Sequence, residues 1–426
     1  MRFPVRLSPP ATAAAATAGA VLAAVALRRY LRTRSSMATS AHRRGSAGGI
    51  TLVVSGKSTE DQHLLAAAGG ALVLGEGDSV EDITVSLDSG AGAGAGFDAG
   101  AYMAALRASR FGRWMLWSPR LASTHDLVTQ NFAKLPVGVV CVADVQFKGR
   151  GRSKNVWESP PGCLMFSFTS QMEDARKLPL MQYVVCLAMT EAIKELCCAK
   201  GLSELDVKIK WPNDLYLKGL KVGGILCTSS YQPKVYNICT GIGLNVDNEE
   251  PTTCLNAALK EMNANLPTLK REDILASFFN KFEVLFEIFT NEGFQALEEQ
   301  YYNSWLHRSS LICSGQKVVV QDGPEAQHAD SVVTIQGLTP AGYLYAIGED
   351  GKSYELHPDG NRRPWLQLLH ESNSAHPAAP PTALRSALLK ITKVSSSPSK
   401  SWEKDGPFAF SHLQIPCFLI RFQQPQ

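Results

Sequence analysis

The chain has 426 residues, 45% of them hydrophobic, so it is long enough for two or three domains with a sizeable core. Its net charge of +3 hides an asymmetry: residues 1–50 hold eight arginines and no acid, and the remainder holds 34 basic and 39 acidic residues. A mildly acidic body argues against broad electrostatic binding of nucleic acid. The ten cysteines form no C-x-x-C pair, so we expect reduced thiols and no structural zinc.

Residues 1–50 are rich in Ala, Ser and Arg and lack acids, a composition typical of organellar transit peptides. The apolar run Thr12–Leu27 leaves a signal peptide or membrane anchor as the alternative. It is mostly alanine and short for a membrane span, so no stable membrane insertion of the mature form is expected. We therefore predict delivery to the chloroplast and/or mitochondrion. Met37 offers a second start that would give a cytosolic form.

Residues 51–110 carry little pattern. The apolar segment Leu64–Leu74 is followed by the Gly/Ala run Ser89–Gly96, whose composition predicts a flexible linker. Nothing in this stretch resembles a helix-turn-helix. We expect a poorly ordered N-terminal extension here.

Residues 111–310 alternate between helical and strand periods. Apolar residues at helical spacing predict helices over Leu180–Cys198 and Ile274–Phe289. Strands are predicted at Val137–Ala143, Leu164–Phe168, Val207–Lys210 and Tyr236–Gly241. Helices and strands mixed without a regular βαβ rhythm favour an α+β fold with a central mixed sheet.

A basic, glycine-rich loop, Phe147–Gly162, lies between the first two of these strands. Glycines let the backbone approach an anion, arginines supply forked donors for phosphate or carboxylate, and Trp157 offers a face for a base. The pattern favours a loop that closes over an anionic, nucleotide-like ligand. The alternatives are a solvated basic loop, an RNA-binding Gly-Arg segment, and a core position for Trp157.

A second polar segment, Lys210–Asp214, directly follows a predicted strand. Pro212 stops the strand ladder, and Asn213-Asp214 is a turn pair. The next run, Leu215–Leu226, predicts a hairpin that places Asp214 and Lys221 near its ends. Taken alone, this segment is compatible with an ordinary turn, and Lys221 with a surface lysine.

Together these segments resemble the biotin protein ligase (holocarboxylase synthetase) family, most closely a plant holocarboxylase synthetase. The likeness covers residues 115–310 and weakens toward residue 360. Its blocks are Ser123-Thr-His125, Gln146, Gly149–Arg152, Trp157, Ser159-Pro160, Gly162, Lys210–Asp214, Lys221–Leu226 and Gly241–Asn245. His125 stands where bacterial relatives carry Asn.

The resemblance implies a class II synthetase-like biotin/lipoate ligase catalytic domain over residues 111–310. A small SH3-like β barrel should follow over residues 311–361, as its short predicted strands also indicate. These strands are Lys317–Val320, Ser331–Gln336 and Tyr343–Ile347. Residues 362–426 depart from the family, and their Pro/Ser-rich composition predicts a divergent, partly disordered tail.

The resemblance also implies a reaction. ATP would activate biotin as biotinyl-5′-AMP, and a lysine of a biotin carboxyl-carrier domain would then displace AMP. The acceptors would be carboxylases such as acetyl-CoA carboxylase and methylcrotonoyl-CoA carboxylase, with no nucleic-acid partner. Both steps build negative charge on oxygen, so positioned cations, N–H donors and Mg²⁺ should matter more than an enzyme nucleophile.

Residue roles follow from the same resemblance. The expected catalytic cations are Lys221, Arg152, Arg150 and Lys210. The expected biotin contacts are Ser123, Thr124, His125, Gln146, Arg150, Gly151, Arg152, Lys221 and Gly224. The expected ATP contacts are Arg152, Trp157, Asn213, Asp214, Lys221 and Asn245, with Asp214 also a candidate ligand of Mg²⁺.

Other functions stay open at this point. A lipoate or octanoate ligase would share the fold, although the Gly-Arg loop and the Lys210–Asp214 segment resemble the biotin enzymes. A nucleic-acid-binding module would explain Gly149–Arg152 but not the acidic body. A non-catalytic carboxylase-binding protein would have no need of Lys221 and Arg152, and both are present.

Overall fold

A computed structural model describes residues 49–75, 83–87, 96–151, 156–157, 159–248, 250, 252–263, 265–306, 317–320, 331–358, 365–368 and 389–393. The segment predicted to direct targeting, Arg152 and most of the predicted tail lie outside these ranges. In the ranges themselves, no helix combines the length and apolar character needed to cross a membrane.

Seven α-helices occur in the described residues. They are α1 (Thr59–Gly69), α2 (Ala99–Ala105), α3 (Thr124–Gln130), α4 (Met181–Ala199), α5 (Leu255–Met262), α6 (Arg271–Glu292) and α7 (Glu298–Asn303). Side chains cap several of them: Ser58 accepts a hydrogen bond from the Asp61 N–H at the start of α1. The helix α6 ends at Gly293, which has a φ of 88°.

Eleven strands are described between residues 49 and 248. They are β1 (Ile50–Gly56), β2 (Ile83–Leu87), β3 (Trp114–Leu121), β4 (Val140–Gln146), β5 (Gly149–Arg150), β6 (Val156–Trp157), β7 (Cys163–Met172), β8 (Val207–Lys210), β9 (Asp214–Leu217), β10 (Leu220–Gln232) and β11 (Val235–Asn245). Nine form one sheet in the order β2-β1-β3-β4-β7-β11-β10-β9-β8, and β5 pairs with β6 in a separate ribbon. The pairs β1–β2 and β3–β4 are parallel and the other pairs antiparallel, so the predicted mixed sheet is confirmed.

The sheet has an apolar core on each face. On one face, Phe166 and Phe168 of β7 pack edge-to-face against Phe278 of α6, with ring centroids 5.4 and 5.8 Å apart. On the other face, Leu127 of α3 and Leu65 of α1 belong to a second buried cluster. The helices predicted from apolar periodicity correspond to α4 and α6, and both are buried along the stripe that predicted them.

Residues 51–110 are not a poorly ordered extension where the structure describes them. The strands β1 and β2 extend the central sheet, and Leu52 and Val54 are fully buried. The helix α6 holds the segment after α2 in place: the Glu283 carboxylate accepts hydrogen bonds from the N–H groups of Ser109, Arg110 and Phe111. Residues 89–95 of the predicted linker lie outside the described ranges.

The C-terminal strands form a closed barrel in the order β12-β13-β14-β15-β17-β16. These strands are β12 (Lys317–Val320), β13 (Ser331–Leu338), β14 (Leu344–Gly348), β15 (Ser353–Pro358), β16 (Trp365–Leu368) and β17 (Leu389–Lys393). A small barrel is therefore confirmed, but its predicted end at residue 361 is too early. Two strands from the predicted tail, β16 and β17, complete the barrel.

A buried polar contact joins the barrel to the catalytic sheet. The Gly342 carbonyl accepts hydrogen bonds from the Tyr183 hydroxyl at 2.6 Å and from the Trp211 indole Nε1 at 3.2 Å. The same indole Nε1 lies 2.9 Å from the Tyr183 hydroxyl oxygen. Trp211 belongs to the Lys210–Asp214 segment, so the barrel is tied directly to a segment predicted to bind substrate.

The N-terminal strands should be essential for folding of the catalytic sheet. A chain that begins at Ala104 loses β1, β2, α1 and most of α2 and uncovers β3, and each buried Leu or Val that it removes contributes about 1.5–3 kcal/mol. We expect this chain to be insoluble or to melt well below a chain that begins at Gly49. Thermal melts of the two truncated chains, with the full chain as control, measure the difference. Equal melting temperatures would show that β1 and β2 are dispensable.

Candidate active site

Three glycines form a floor on one face of the sheet, where other side chains approach the backbone closely. Gly224 of β10 lies directly opposite Gly243 of β11. Gly241 precedes Gly243 by two residues on β11 and therefore lies on the same face of the sheet. A methyl group placed on Gly243 would come within 2.9 Å of the Trp157 indole, and one on Gly241 within 3.0 Å of His125 Nδ1. The floor therefore has two ends, one beside Trp157 and the other beside His125.

The first end of the glycine floor is aromatic and cationic. The Trp157 ring lies against Gly243 and Gly224, and Lys221 Nζ lies over that ring at 5.3 Å from its centroid. Lys221 Nζ also forms an ion pair with Asp214 Oδ1 at 2.7 Å. The Asp214 side chain is 6% exposed and that of Lys221 29%, so the lysine is the partner that solvent reaches.

A second lysine lies beneath this pair. Lys210 is buried, and its Nζ lies 3.4 Å from the Tyr216 hydroxyl. Burial lowers the pKa of Lys210 to about 8, while neighbouring Asp214 opposes that shift. Lys210 is enclosed by protein, and its neighbours there are Tyr216 and Asp214.

The second end of the glycine floor is a buried polar pocket. The Gln146 Oε1 accepts hydrogen bonds from the Thr124 N–H at 2.7 Å and from its hydroxyl at 3.0 Å. Thr124 Oγ1 also lies 2.9 Å from Ser167 Oγ. Ser123 caps α3 by accepting from the Asp126 N–H, so it positions Thr124 and His125 at the first turn of the helix.

His125 closes this pocket from the side of α3. Its Nε2 lies 3.0 Å from Thr228 Oγ1, and its Nδ1 lies 3.5 Å from Cys239 Sγ. Burial is the main reason that the pKa of His125 falls to about 4, with Arg150 adding to the effect. The imidazole is therefore neutral at physiological pH and can donate one hydrogen bond and accept another.

The basic loop is only partly described. Arg150 lies on the β5–β6 ribbon, and its Nε forms an ion pair with Asp126 Oδ1 at 2.8 Å. Its side chain is 58% exposed and is not directed to Lys221 in this arrangement. Gly151 follows it and is partly exposed. Arg152, the second arginine predicted to contact substrate, lies outside the described ranges.

Asn213 and Asn245, both predicted to contact ATP, use their side-chain amides to hydrogen-bond other parts of the protein. The Asn213 Nδ2 donates to the Ile225 carbonyl, and the Asn213 carbonyl accepts from the Ile225 N–H at 3.0 Å. The Asn245 Nδ2 donates to Thr252 Oγ1 at 3.0 Å and to the Thr253 carbonyl at 3.1 Å. Both amides therefore hold the backbone next to the floor.

Sequence reasoning missed several residues of the site: Ser167, Thr228, Cys239, Tyr216 and Thr252. Ser167 had a detectable signal, because it is a hydroxyl between Phe166 and Phe168 in an otherwise apolar strand. Thr228 and Cys239 are cross-strand partners, so only the β10–β11 register shows that they meet His125. Cys163 is an inert thiol, since burial raises its pKa to about 12.

The donor set limits how a metal ion could bind. In the part of the chain that the structure describes, no group of three or more His, Cys, Asp or Glu side chains has the arrangement of a metal site. Asp214 Oδ1 is engaged by Lys221. Mg²⁺ commonly binds through one or two carboxylates together with substrate phosphates and water. Asp214 fits this mode, and a protein-only cage does not.

Several known proteins resemble this chain. The profile of the Biotin/lipoate A/B protein ligase family matches residues 117–245. The biotin–protein ligase 1, chloroplastic, of Arabidopsis thaliana is 61% identical over 265 residues, which cover 62% of this chain and 71% of the relative. The biotin–protein ligase 2 of the same plant is 59% identical over 265 residues, covering 62% and 79%.

Among solved structures, the biotin protein ligase from Aquifex aeolicus in complex with biotin and ATP is similar. It is 23% identical, covers 57% of this chain and 94% of its own, and superposes with a TM-score of 0.43. The matched family segment extends from β3 to the end of β11 and includes the glycine floor and both its ends. The chain belongs to the Biotin/lipoate A/B protein ligase family.

Proposed function

We propose that this chain is an AMP-forming biotin–protein ligase. The biotin carboxylate attacks the α-phosphate of ATP, forming biotinyl-5′-AMP and releasing pyrophosphate, and the biotinyl group is then transferred to a lysine of a biotin carboxyl-carrier domain. The observation that carries the proposal is the glycine floor, along which a buried polar pocket and a lysine-tryptophan pair lie close to the backbone. The two relatives named above, 61% and 59% identical, are biotin–protein ligases.

The polar pocket takes the ureido ring of biotin. That ring carries one carbonyl acceptor and two N–H donors, which suit the hydroxyl and amide groups of Thr124, Gln146 and Ser167. Neutral His125 faces the same pocket through Gly241. Ser123 contributes by capping α3, and Gly224 lets the acyl chain pass close to the backbone toward Lys221.

Lys221 holds the two oxygens that react. Its ammonium group is anchored by Asp214 at the floor, where the biotin carboxylate and the α-phosphate meet. A fixed cation at this point stabilises the charge that develops on both groups. Arg150 and Arg152 of the basic loop clamp the phosphoryl and acyl oxygens when the loop closes, which requires Arg150 to exchange Asp126 for substrate.

The ATP end is built around Trp157, which stacks on adenine from its position beside Gly243. Asp214 and Asn213 border the ribose-phosphate, and Asn245 supports the same edge of the floor. Lys210 keeps the local charge positive from below. Asp214 would hold a Mg²⁺ ion that is delivered with ATP, and the ion would supply neutralisation of phosphate charge there.

The second half-reaction needs a protein partner. The acceptor lysine attacks the acyl carbon of biotinyl-5′-AMP, the bond to the phosphate oxygen breaks, and AMP leaves. Carboxyl-carrier domains of carboxylases are the proposed partners, with acetyl-CoA carboxylase and methylcrotonoyl-CoA carboxylase as the first to test. The barrel contributes through its contact with Trp211, which positions the Lys210–Asp214 segment.

The domain division and the compartments belong to the same proposal. Residues 1–50 act as a transit peptide, residues up to 310 form the catalytic domain, and the barrel follows. Because one relative is a chloroplastic ligase, the chloroplast is the first expected destination. Delivery to the mitochondrion and a cytosolic form that begins at Met37 are further parts of the proposal.

A lipoate or octanoate ligase is the competing function within the family. Thr124, Gln146 and Ser167 hydrogen-bond one another, so none of the three needs a ligand for a partner. A ureido ring can add hydrogen bonds to the lone pairs and N–H groups that remain, whereas a dithiolane ring or a plain acyl chain cannot. The polar pocket therefore favours biotin.

The decisive experiment is ATP–pyrophosphate exchange with biotin, lipoate or octanoate as the acid. Biotin should support exchange, and Lys221→Ala should slow it on the order of a hundredfold, since losing one charge-stabilising donor costs about 3 kcal/mol. Lys218→Ala in the same hairpin removes only an exposed pair with Glu261 and should leave the rate unchanged. Exchange driven by lipoate and not by biotin would overturn the proposed substrate.

The two ends of the floor should separate the two substrates. Gly241→Ala reaches toward His125 and Ser167 and should raise the KM for biotin, while Gly243→Ala displaces Trp157 and should raise the KM for ATP. Overpacking typically costs about 1–3 kcal/mol, so each increase should be about tenfold. Gly70→Ala is the control, because its added methyl group meets no atom within 4 Å. If both floor variants raise the same KM, the assignment of the two ends is wrong.

A further inference from the structure

The backbone at Lys221 departs from a regular ladder. On the β9 side, Lys221 pairs with Tyr216 and Gly223 pairs with Leu215, so Val222 is an inserted residue on β10. On the β11 side, the pairing begins only at Gly223, opposite Leu244. Lys221 thus lies just before the point where regular pairing between β10 and β11 begins.

A threonine from the loop after β11 contacts the backbone at this point. Thr252 Oγ1 donates a hydrogen bond to the Lys221 carbonyl at 2.9 Å. The same oxygen accepts a hydrogen bond from Asn245 Nδ2 at 3.0 Å. Asn245 is the last residue of β11 and is 7% exposed, so the relay starts from a buried strand end.

The direction of each hydrogen bond is determined by chemistry. An amide nitrogen only donates, so Asn245 must use a lone pair of the Thr252 hydroxyl. The hydroxyl has one proton, and the Lys221 carbonyl at 2.9 Å is a closer acceptor than the Thr253 carbonyl at 3.4 Å. The order is therefore Asn245, then Thr252, then the Lys221 carbonyl.

We propose that Thr252 is a positioning residue for Lys221. The Asn245–Thr252 relay fixes the backbone at the bulge from which the lysine side chain extends to Asp214 and the floor. This inference deepens the proposed function and rests on it for the role of Lys221. The relay also gives Asn245 a task other than direct contact with ATP.

The test compares Thr252→Val, which keeps the shape and loses the hydroxyl, with Thr252→Ser, which keeps the hydroxyl. Thr252→Val should lower the kcat of biotin-dependent pyrophosphate exchange about tenfold, the effect of losing one hydrogen bond worth about 1.4 kcal/mol. The KM for biotin should stay within about twofold, because the ureido pocket is intact. Thr252→Ser should restore kcat.

Thr253→Val is the matched control. Thr253 contacts Asn245 only through its main-chain carbonyl, so loss of its side-chain hydroxyl should leave kcat unchanged. Asn245→Asp cannot donate to Thr252, so the hydroxyl should turn to the new carboxylate and leave the Lys221 carbonyl. Combining Asn245→Asp with Thr252→Val should then cost no more than the worse single variant. Additive losses would show that the two residues act separately.

A second readout does not depend on activity. The rate at which trinitrobenzenesulfonate modifies Lys221, followed by mass spectrometry of its peptide, should rise in Thr252→Val and not in Thr252→Ser. Equal modification rates and equal kcat values in these two variants would overturn the relay. A wild-type chain without biotin-dependent exchange would instead reject the proposed function, while the modification rates would still test the relay.

Discussion

The glycine floor depends on one cross-strand pair that has no side chains. Gly224 and Gly243 face each other across β10 and β11. Any larger residue at Gly243 would occupy the space that the Trp157 indole fills, since an added methyl group would come within 2.9 Å of the ring. The absence of two Cβ atoms lets an aromatic ring and an ammonium group lie close to the backbone, where a flat or extended ligand can join them.

The regular sheet explains why these groups stay in place. Side chains alternate along β10, so Ile225 and Cys227 point into the apolar core while Gly224 and Thr228 face the site. A slip of one residue would turn the core side chains onto the floor. The bulge at Val222 is the one local departure between β9 and β10, and it lies next to Lys221. The bulge thus lies beside the lysine whose side chain extends over the glycine floor.

Much of this architecture can be predicted from the chain itself. The helices α4 and α6 follow from their apolar stripes, and the strand β8 has the predicted bounds Val207–Lys210. The resemblance places Lys221 and Trp157 in one site, and the structure brings them within 5.3 Å. Such features are local in sequence or belong to short motifs, which is why they are accessible without coordinates.

Other features depend on contacts that are distant in the chain. The strand β1 was missed because its run of apolar residues has no partner nearby; it pairs with β3 and with β2, which lies beyond α1. The contact of His125 with Thr228 spans 103 residues and is set by the β10–β11 register and by the position of α3. The last two barrel strands were missed because their sequence is rich in turn-forming residues around short apolar runs.

Two lysines lie around one buried carboxylate. Lys221 Nζ pairs with Asp214 Oδ1 at 2.7 Å, and Asp214 also opposes the burial that lowers the pKa of Lys210 to about 8. Taking away one partner of a buried ion pair is costly because it leaves an uncompensated charge. An anionic substrate that drew on Lys221, as proposed above, would therefore not leave Asp214 without a cationic neighbour, since Lys210 lies near the same carboxylate.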